Sequence, residues 1–260
     1  MTILDELTAY ARVRTEANKA KLSLSDLRWQ AEGMPCSEFR FEKALAKEGM
    51  SFICECKKAS PSKGVIAEDF PYLEIAKSYE AAGADCISVL TEPKWFLGSD
   101  DYLKEITSSV KTPCIRKDFT VDEYMIYEAK VLGASAVLLI CSILPTDVIK
   151  EYIDICDSMG LSAIAETHNE DEITSALDAG ARIVGVNNRN LKDFTVDTGN
   201  SANLRKLVPS DILFVAESGI KTHEDVAALQ AVGADAVLVG ETLMRAPDKK
   251  AMLQTLKGDL

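Results

Sequence analysis

Ionisable side chains close a series of apolar, β-branched runs along this chain, where proton-transfer chemistry could be done. Glu55 and Lys57 end SFICECK (51–57), Glu92 follows SVL, and Lys117 ends PCIRK (113–117). Glu166 ends LSAIAE (161–166), Asn187 and Arg189 follow IVGV, and Glu217 with Ser218 follows ILFVA. Alternate residues of a strand share a face. Glu55 and Lys57 therefore project together while Cys54 and Cys56 project the other way, and Asn187 pairs with Arg189 in the same sense. A carboxylate beside an ammonium favours both charged forms while desolvation opposes them, and that balance is how proton donors and acceptors are tuned. The alternative for Glu55 with Lys57 is a buried ion pair that only secures a rim. Runs at five separate places ending on Lys or Glu are harder to assign to structure alone.

Two further segments suit an anion. AESGIKT (216–222) and LVGETLM (238–244) place Gly219 and Gly240 where a strand gives way to a helix, with Thr222 and Glu241 at the helix starts. Glycine lets backbone approach a ligand closely, and the free N–H groups of a helix N-terminus attract phosphate oxygens. Tight turns with no ligand are the alternative. Glu241 is an awkward neighbour for phosphate, so its side chain is expected to point away. Ser60-Pro61-Ser62-Lys63-Gly64 suits either a mobile lid or a plain connection. Trp95 and Phe96 could wall a pocket, packing being the alternative. His168 reads as a loop residue beside two candidate helix caps, Thr167 and Asn169, and not as a base. Arg12 and Arg14 read as a solvated helix face.

The elements that must position these groups repeat. AAGADCISVL (81–90), VLGASAVLLI (131–140), DAGARIVGV (178–186) and AVGADAVLVG (231–240) each run from a helix end through a Gly into a strand-like run. Gly83, Gly133, Gly180 and Gly233 suit the position after a helix, where a left-handed backbone is needed. They lie 50, 47 and 53 residues apart, whereas one βαβ unit takes only about 30. Each gap therefore holds another strand, PCIRK, LSAIAE or ILFVAE, and SFICECK completes eight. Strict strand–helix alternation implies parallel strands with right-handed crossovers. Eight units in the 210 residues from 51 to 260 fit a (β/α)₈ barrel, whose active site lies at the C-terminal strand ends. An open doubly wound sheet is the rival, but the segment after its first strand would be Gly-rich, and here it reads KKASPSKG. Residues 3–22 form a helical pattern through Ile3, Leu7, Tyr10, Ala11 and Val13, and a second helix is expected from Pro35 and Ser37 to Gly49. The expectation is one domain over 1–260, a helical extension (1–50) on a barrel (51–260).

Composition excludes other classes. With 47% hydrophobic and 27% charged residues the chain is ordinary for a globular protein. A net charge of −12 argues against nucleic-acid binding. The first 50 residues are charge-balanced, 8 basic against 8 acidic, so the excess lies in the barrel. An acidic, salt-screened exterior does not exclude an anionic substrate. No run approaches a membrane span, and the start does not read as a secretory signal, so a cytoplasmic protein is expected. Seven cysteines without paired spacing read as reduced thiols, and no Cys/His spacing suits a metal.

The motifs ECKKASPSKG, SVLTE, IRKDF, IAETH, GVNNRNL, AESGI and LVGETLMR, in this order, resemble those of the indole-3-glycerol phosphate synthase family from about residue 3 to 245. The resemblance implies closure of a pyrrole ring in tryptophan biosynthesis. The substrate would be 1-(2-carboxyphenylamino)-1-deoxyribulose 5-phosphate, losing carbon dioxide and water with neither metal nor cofactor. Lys117 would be the general acid, Glu166 the base in dehydration, and Lys57, oriented by Glu55, would meet the anionic substrate and assist proton transfer. Asn187 would position a reacting group and Ser218 would support the chain near Glu217. Ser60 and Arg189 would hold substrate anions, Arg189 either the phosphate or the ring carboxylate. Glu217, Gly219, Gly240 and Phe96 would complete the binding site. Cys54 and Cys56 depart from the aliphatics usual there, leaving a thiol-sensitive strand if either is accessible. Another phosphate-binding barrel, such as phosphoribosylanthranilate isomerase, would share the phosphate loops but not the charged set, and a non-catalytic barrel would have lost that set. A lowered pKa is expected at Lys117, from burial and from Lys57 nearby. A monomer is expected, with a homodimer the alternative.

Overall fold

In the computed structural model, residues 2–190 and 194–259 are described. Eight parallel strands close into a barrel: β1 (Ser51–Cys56), β2 (Cys86–Leu90), β3 (Cys114–Lys117), β4 (Ala136–Ile140), β5 (Ser162–Thr167), β6 (Ile183–Asn187), β7 (Leu213–Glu217) and β8 (Ala236–Val239). Strand follows strand around the ring in chain order, and β8 returns to β1 with Ser51 opposite Ala236 and Cys54 opposite Val239. Each strand coincides with the run assigned to it from sequence, β5 and β6 each running one residue further, to Thr167 and Asn187. Gly83, Gly133, Gly180 and Gly233 all take positive φ, between 79° and 86°, at the ends of helices.

Among the described residues twelve α-helices accompany the strands: α1 (Ile3–Lys19), α2 (Leu24–Glu32), α3 (Arg40–Leu45), α4 (Tyr72–Ala81), α5 (Asp100–Ser109), α6 (Glu123–Val131), α7 (Thr146–Ser158), α8 (Glu170–Asp178), α9 (Gly199–Leu204), α10 (His223–Ala231), α11 (Glu241–Arg245) and α12 (Lys249–Lys257). The alternation of β1 sorts as expected. Ile53 packs inside the barrel with Ile115, Leu138, Ile164 and Val215, while Cys54 and Cys56 face the helices. All seven cysteines are free, six of them buried and Cys36 exposed. Burial pushes the Cys114 and Cys141 thiols up to about 12. Cys54 and Cys56 are 0% and 1% exposed, which removes the expected thiol sensitivity.

The N-terminal fifty residues differ from expectation. The second helix is only α3, because Phe39 turns left-handed at φ 53° just before it and the chain bends away after Leu45. Phe41 and Leu45 of α3 enter the interior cluster, and Ser51 and Ser162, at the starts of β1 and β5, hydrogen-bond this helix. The helix thus plugs the N-terminal end of the barrel. An unforeseen helix, α2, buries only Leu27 and Ala31, a stripe too narrow to stand out in the sequence. Helix α1 crosses to the opposite end. It is set by a Thr2–Asp5 capping box and packs Ala11 against Val121 and Met125.

Candidate active site

The C-terminal strand ends surround a cavity of about 710 Å³, which the first helix partly roofs with Ile3, Leu4 and Leu7. Parallel strands in register deliver their last inward side chains to one level, so residues distant in sequence meet there. Lys117 ends β3 with its ammonium 2.8 Å from Glu166 on β5 and 3.2 Å from Glu217 on β7. Lys57 pairs with Glu55, whose second oxygen accepts a 3.3 Å hydrogen bond from Ser88 of β2. Asn187 donates to Glu166 at 3.3 Å, and its carbonyl oxygen accepts from the Ser218 hydroxyl at 2.9 Å and the Arg189 amide at 3.0 Å. Glu55, Lys57, Lys117, Glu166, Asn187, Arg189, Glu217, Ser218, Ser60, Phe96, Gly219 and Gly240 all line this cavity.

The electrostatics reverse one expectation. Burial works against the Lys117 ammonium, but Glu166, Glu217 and Glu55 together outweigh it and hold its pKa well above the usual lysine value. The expected fall rested on Lys57, whose charge is instead taken up by Glu55. Burial also works against the Glu166 anion, yet Lys117 and His168 beside it bring its pKa down to about 2. For Glu217 burial wins, Lys117 countering only in part and the Glu166 charge adding to the rise, so its pKa climbs to about 7. Its Oε1 is buried and meets no hydrogen-bond donor among the described residues. The pair thus divides into a firmly ionised carboxylate and one poised near neutrality, the arrangement that assigns separate acid and base tasks.

Beside this cluster lies a backbone-lined end. Ser218 and Gly219 both take positive φ, 69° and 86°. A Cβ on Gly219 would come within 2.7 Å of Val196 and 2.8 Å of Thr198. A Cβ on Gly240 would collide with the Glu55 carboxylate and stand 2.8 Å from the Lys57 ammonium. Only glycine brings backbone this close at either place. The Glu241 carboxylate is drawn to Arg245 at 2.9 Å, with Lys63 3.9 Å away. The segment after β1 carries a short hairpin, Ala59–Ser60 pairing antiparallel with Gly64–Val65, and Ser60 is buried at the cavity.

Several residues fall elsewhere than foreseen. Trp95 packs edge-on against Tyr10 at 5.6 Å and is not among the cavity-lining residues, whereas Phe96 is, at 6.1 Å from Phe119. The loop holding Phe96 is fixed by buried Glu92, whose carboxylate accepts the backbone N–H groups of Lys94, Trp95 and Phe96. Arg14 is not solvated. It makes a bidentate pair with buried Asp118 at 2.7 and 3.2 Å, which Thr91 also contacts at 2.6 Å, tying α1 to the residue after Lys117. Arg12 is exposed as expected. Asn169, not Thr167, caps α8. His168 stands 3.5 Å from Glu166, a proximity that the i, i+2 alternation used for Glu55 and Lys57 could have disclosed. Leu191, the last residue of GVNNRNL, lies outside the described residues.

The chain is similar to known proteins. The family model described as indole-3-glycerol phosphate synthase matches residues 4–256. An indole-3-glycerol phosphate synthase from Ruminiclostridium cellulolyticum is 57% identical over 98% of this chain and 99% of its own. The one from Leuconostoc mesenteroides is 53% identical over 99% of both chains. Among solved structures, a 3-hexulose-6-phosphate synthase superposes with a TM-score of 0.65 at 19% identity, covering 81% of this chain and 100% of that one. At that identity the likeness concerns the fold alone.

Proposed function

The chain belongs to the indole-3-glycerol phosphate synthase family, and we propose that the Lys117–Glu166–Glu217 cluster carries the proton transfers of that family's reaction here. The activity is ring closure of 1-(2-carboxyphenylamino)-1-deoxyribulose 5-phosphate with loss of carbon dioxide and water, a carboxy-lyase reaction of tryptophan biosynthesis. Carbon–carbon bond formation at the ribulose carbonyl turns its oxygen into an alkoxide unless a proton arrives. Lys117 supplies that proton. Its raised pKa keeps it charged at neutral pH and is no obstacle, because the donor need only be more acidic than the hydroxyl it creates, and a water-like hydroxyl has a pKa of about 15.7. Loss of carbon dioxide then returns electrons to the ring. In the dehydration that follows, Glu166 takes a proton from the intermediate while Lys57 gives one to the departing hydroxyl, which leaves as water.

The remaining residues bind and orient. Lys57, held by Glu55, meets the substrate's negative charge and assists proton transfer. Asn187, held by Ser218, positions the reacting group beside Glu166. Backbone at Gly219 and Gly240 receives the phosphate, Arg189 and Ser60 hold the anionic ends, Glu217 contacts the substrate beside Lys117, and Phe96 faces the aromatic ring. The observation carrying this reading is one ammonium within hydrogen-bonding reach of two buried carboxylates. We further propose that residues 1–260 act as one unit, a cytoplasmic monomer. Among the described residues no helix is long and apolar enough to cross a membrane.

Product fluorescence with the carboxyphenylamino-deoxyribulose phosphate tests the assignment. Glu166→Gln keeps shape but cannot take a proton, so turnover should fall by about 10²–10⁴ and a ring-closed intermediate should accumulate. Unchanged turnover with no intermediate would remove Glu166 from its role.

A further inference from the structure

His168 lies two residues beyond Glu166, outside the set of cavity-lining residues, with its side chain 16% exposed. Its ring is fixed from behind. Glu172, on the first turn of α8, accepts the His168 backbone N–H and approaches Nδ1, both at 2.9 Å through the same oxygen. Asn169 holds the other Glu172 oxygen at 2.8 Å, and Asn200 of α9 binds the His168 carbonyl at 3.3 Å. A carboxylate only accepts, so Nδ1 must carry a proton. That leaves Nε2, which is buried and without a hydrogen-bond partner among the described residues, 3.5 Å from Glu166 Oε1. In neutral imidazole this nitrogen would turn a lone pair toward an anion. In the imidazolium it turns an N–H toward it.

We propose that His168 is a positioning residue for Glu166: clamped by Glu172, it presents an imidazolium that keeps the catalytic carboxylate ionised while Lys117 is engaged with substrate. The proposal rests on the assignment of Glu166 as base. Glu166 faces two basic groups, Lys117 at 2.8 Å and His168 at 3.5 Å. Once Lys117 gives its proton to the substrate, the first of these loses its charge just before Glu166 must act. Without another cation, a carboxylate this buried would take up a proton, as Glu217 tends to. His168 supplies that cation without touching substrate. The charged groups acting on the ring are carboxylates from three elements, Glu172 of α8, Glu166 of β5 and Glu217 of β7. Burial works against the imidazolium, but these carboxylates outweigh it and raise its pKa above the ordinary value.

The sign of the consequence is fixed. Removing a cation raises the pKa of Glu166, so activity needing its anion is lost as pH falls through a range where the parent holds steady. An opposite charge at this distance moves the titration of a carboxylate by about one to three pH units. With His168→Asn, kcat should approach the parent value at pH 8.5 and fall about tenfold or more below it at pH 6, because with Lys117 discharged and the imidazole gone Glu166 is left as buried as Glu217, which lies at about 7, and below its pKa a base loses about tenfold of its anion for each further pH unit. KM should stay within about twofold across the range, because His168 is not among the cavity-lining residues. Glu172→Gln, which leaves the ring in place but weakens its charge, should bend the profile the same way by less. The chain has two histidines, so imidazole NMR resolves each directly. His168 should titrate above the ordinary imidazole value, and Glu166→Gln should lower it while leaving His223 unmoved. A kcat ratio of variant to parent that is flat with pH, or a His168 ring that stays neutral through pH 6, overturns the proposal. If Glu166→Gln is inactive while the His168→Asn profile is flat, only this inference fails. If Glu166→Gln keeps full turnover, the assignment of the base fails and this inference with it.

Discussion

Lys117→Met tests the centre of the site in two independent ways. The ammonium sits 2.8 Å from Glu166 and 3.2 Å from Glu217. At an effective dielectric of about 20 those distances correspond to gross attractions of about 6 and about 5 kcal/mol, largely offset by the cost of burying three charges. Methionine keeps the volume and deletes the charge, leaving two buried carboxylates facing each other. Breaking one buried pair costs about 3–5 kcal/mol. The orphaned carboxylates recover part of this by taking up protons, so the loss depends on pH. In the parent, Glu166 lies at about 2, so its contribution is present above the ordinary carboxylate range and vanishes only as pH falls toward 2. In the variant both carboxylates are raised, the folded chain holds protons the unfolded one releases, and stability falls as pH rises through the raised values. Tm should drop by roughly 6–20 °C at pH 8, taking about 2–4 °C per kcal/mol for a chain near this size, with the gap narrowing by pH 5.5. Turnover by product fluorescence should fall by about 10²–10⁴. A variant keeping more than about a tenth of parent kcat, well above that range, would end the assignment of Lys117 as acid. One melting with the parent at pH 8 would refute the electrostatic account.

Gly219→Val places a β-branched side chain at φ 86°, 2.7 Å from Val196. Michaelis analysis should show KM for the phosphorylated substrate rising about tenfold or more with kcat within a few-fold, the strain of about 1–2 kcal/mol being tolerable to the fold. Equal KM in parent and variant would move the phosphate elsewhere. Arg14→Met leaves Asp118 buried without its bidentate partner, so stability in urea should fall by about 3 kcal/mol or more. Because Asp118 lies between Lys117 and Phe119, kcat should fall as well, and a variant matching the parent in both would reduce the pair to a surface contact.

The barrel was legible because its signals are local. Gly83, Gly133, Gly180 and Gly233 mark helix ends through their backbone needs, and β-branched runs follow at a constant offset. The charged ring around the cavity was legible for the same reason, since fixing the strand ends fixes the level at which Glu55, Lys117, Glu166 and Glu217 emerge. What was lost depends on partners distant in sequence. Arg14 looks like any helix-surface arginine until Asp118, 104 residues away, is brought beneath it. Helix α2 offers two buried positions in nine residues, too few for a periodic signature. The Lys117 titration failed differently: counting nearby charges cannot reveal that Glu55 has already claimed Lys57.

That pairing also answers how a site with three glutamates accepts a substrate bearing a phosphate and a carboxylate. Each carboxylate has a cation within reach, Glu55 with Lys57 and both Glu166 and Glu217 with Lys117. The cluster therefore presents little net repulsion while keeping its members charged or poised. On the proposed assignment, anion recognition falls to Lys57, Ser60, the guanidinium of Arg189 and the backbone at Gly219 and Gly240. The proposed site is thus divided, one part transferring protons and the other fixing position, with Lys57 shared between them. The two halves touch at Gly240, where a side chain would strike Glu55 and Lys57 together. A substitution there should raise KM and lower kcat at once, whereas Gly219, whose neighbours are Val196 and Thr198, should affect KM alone.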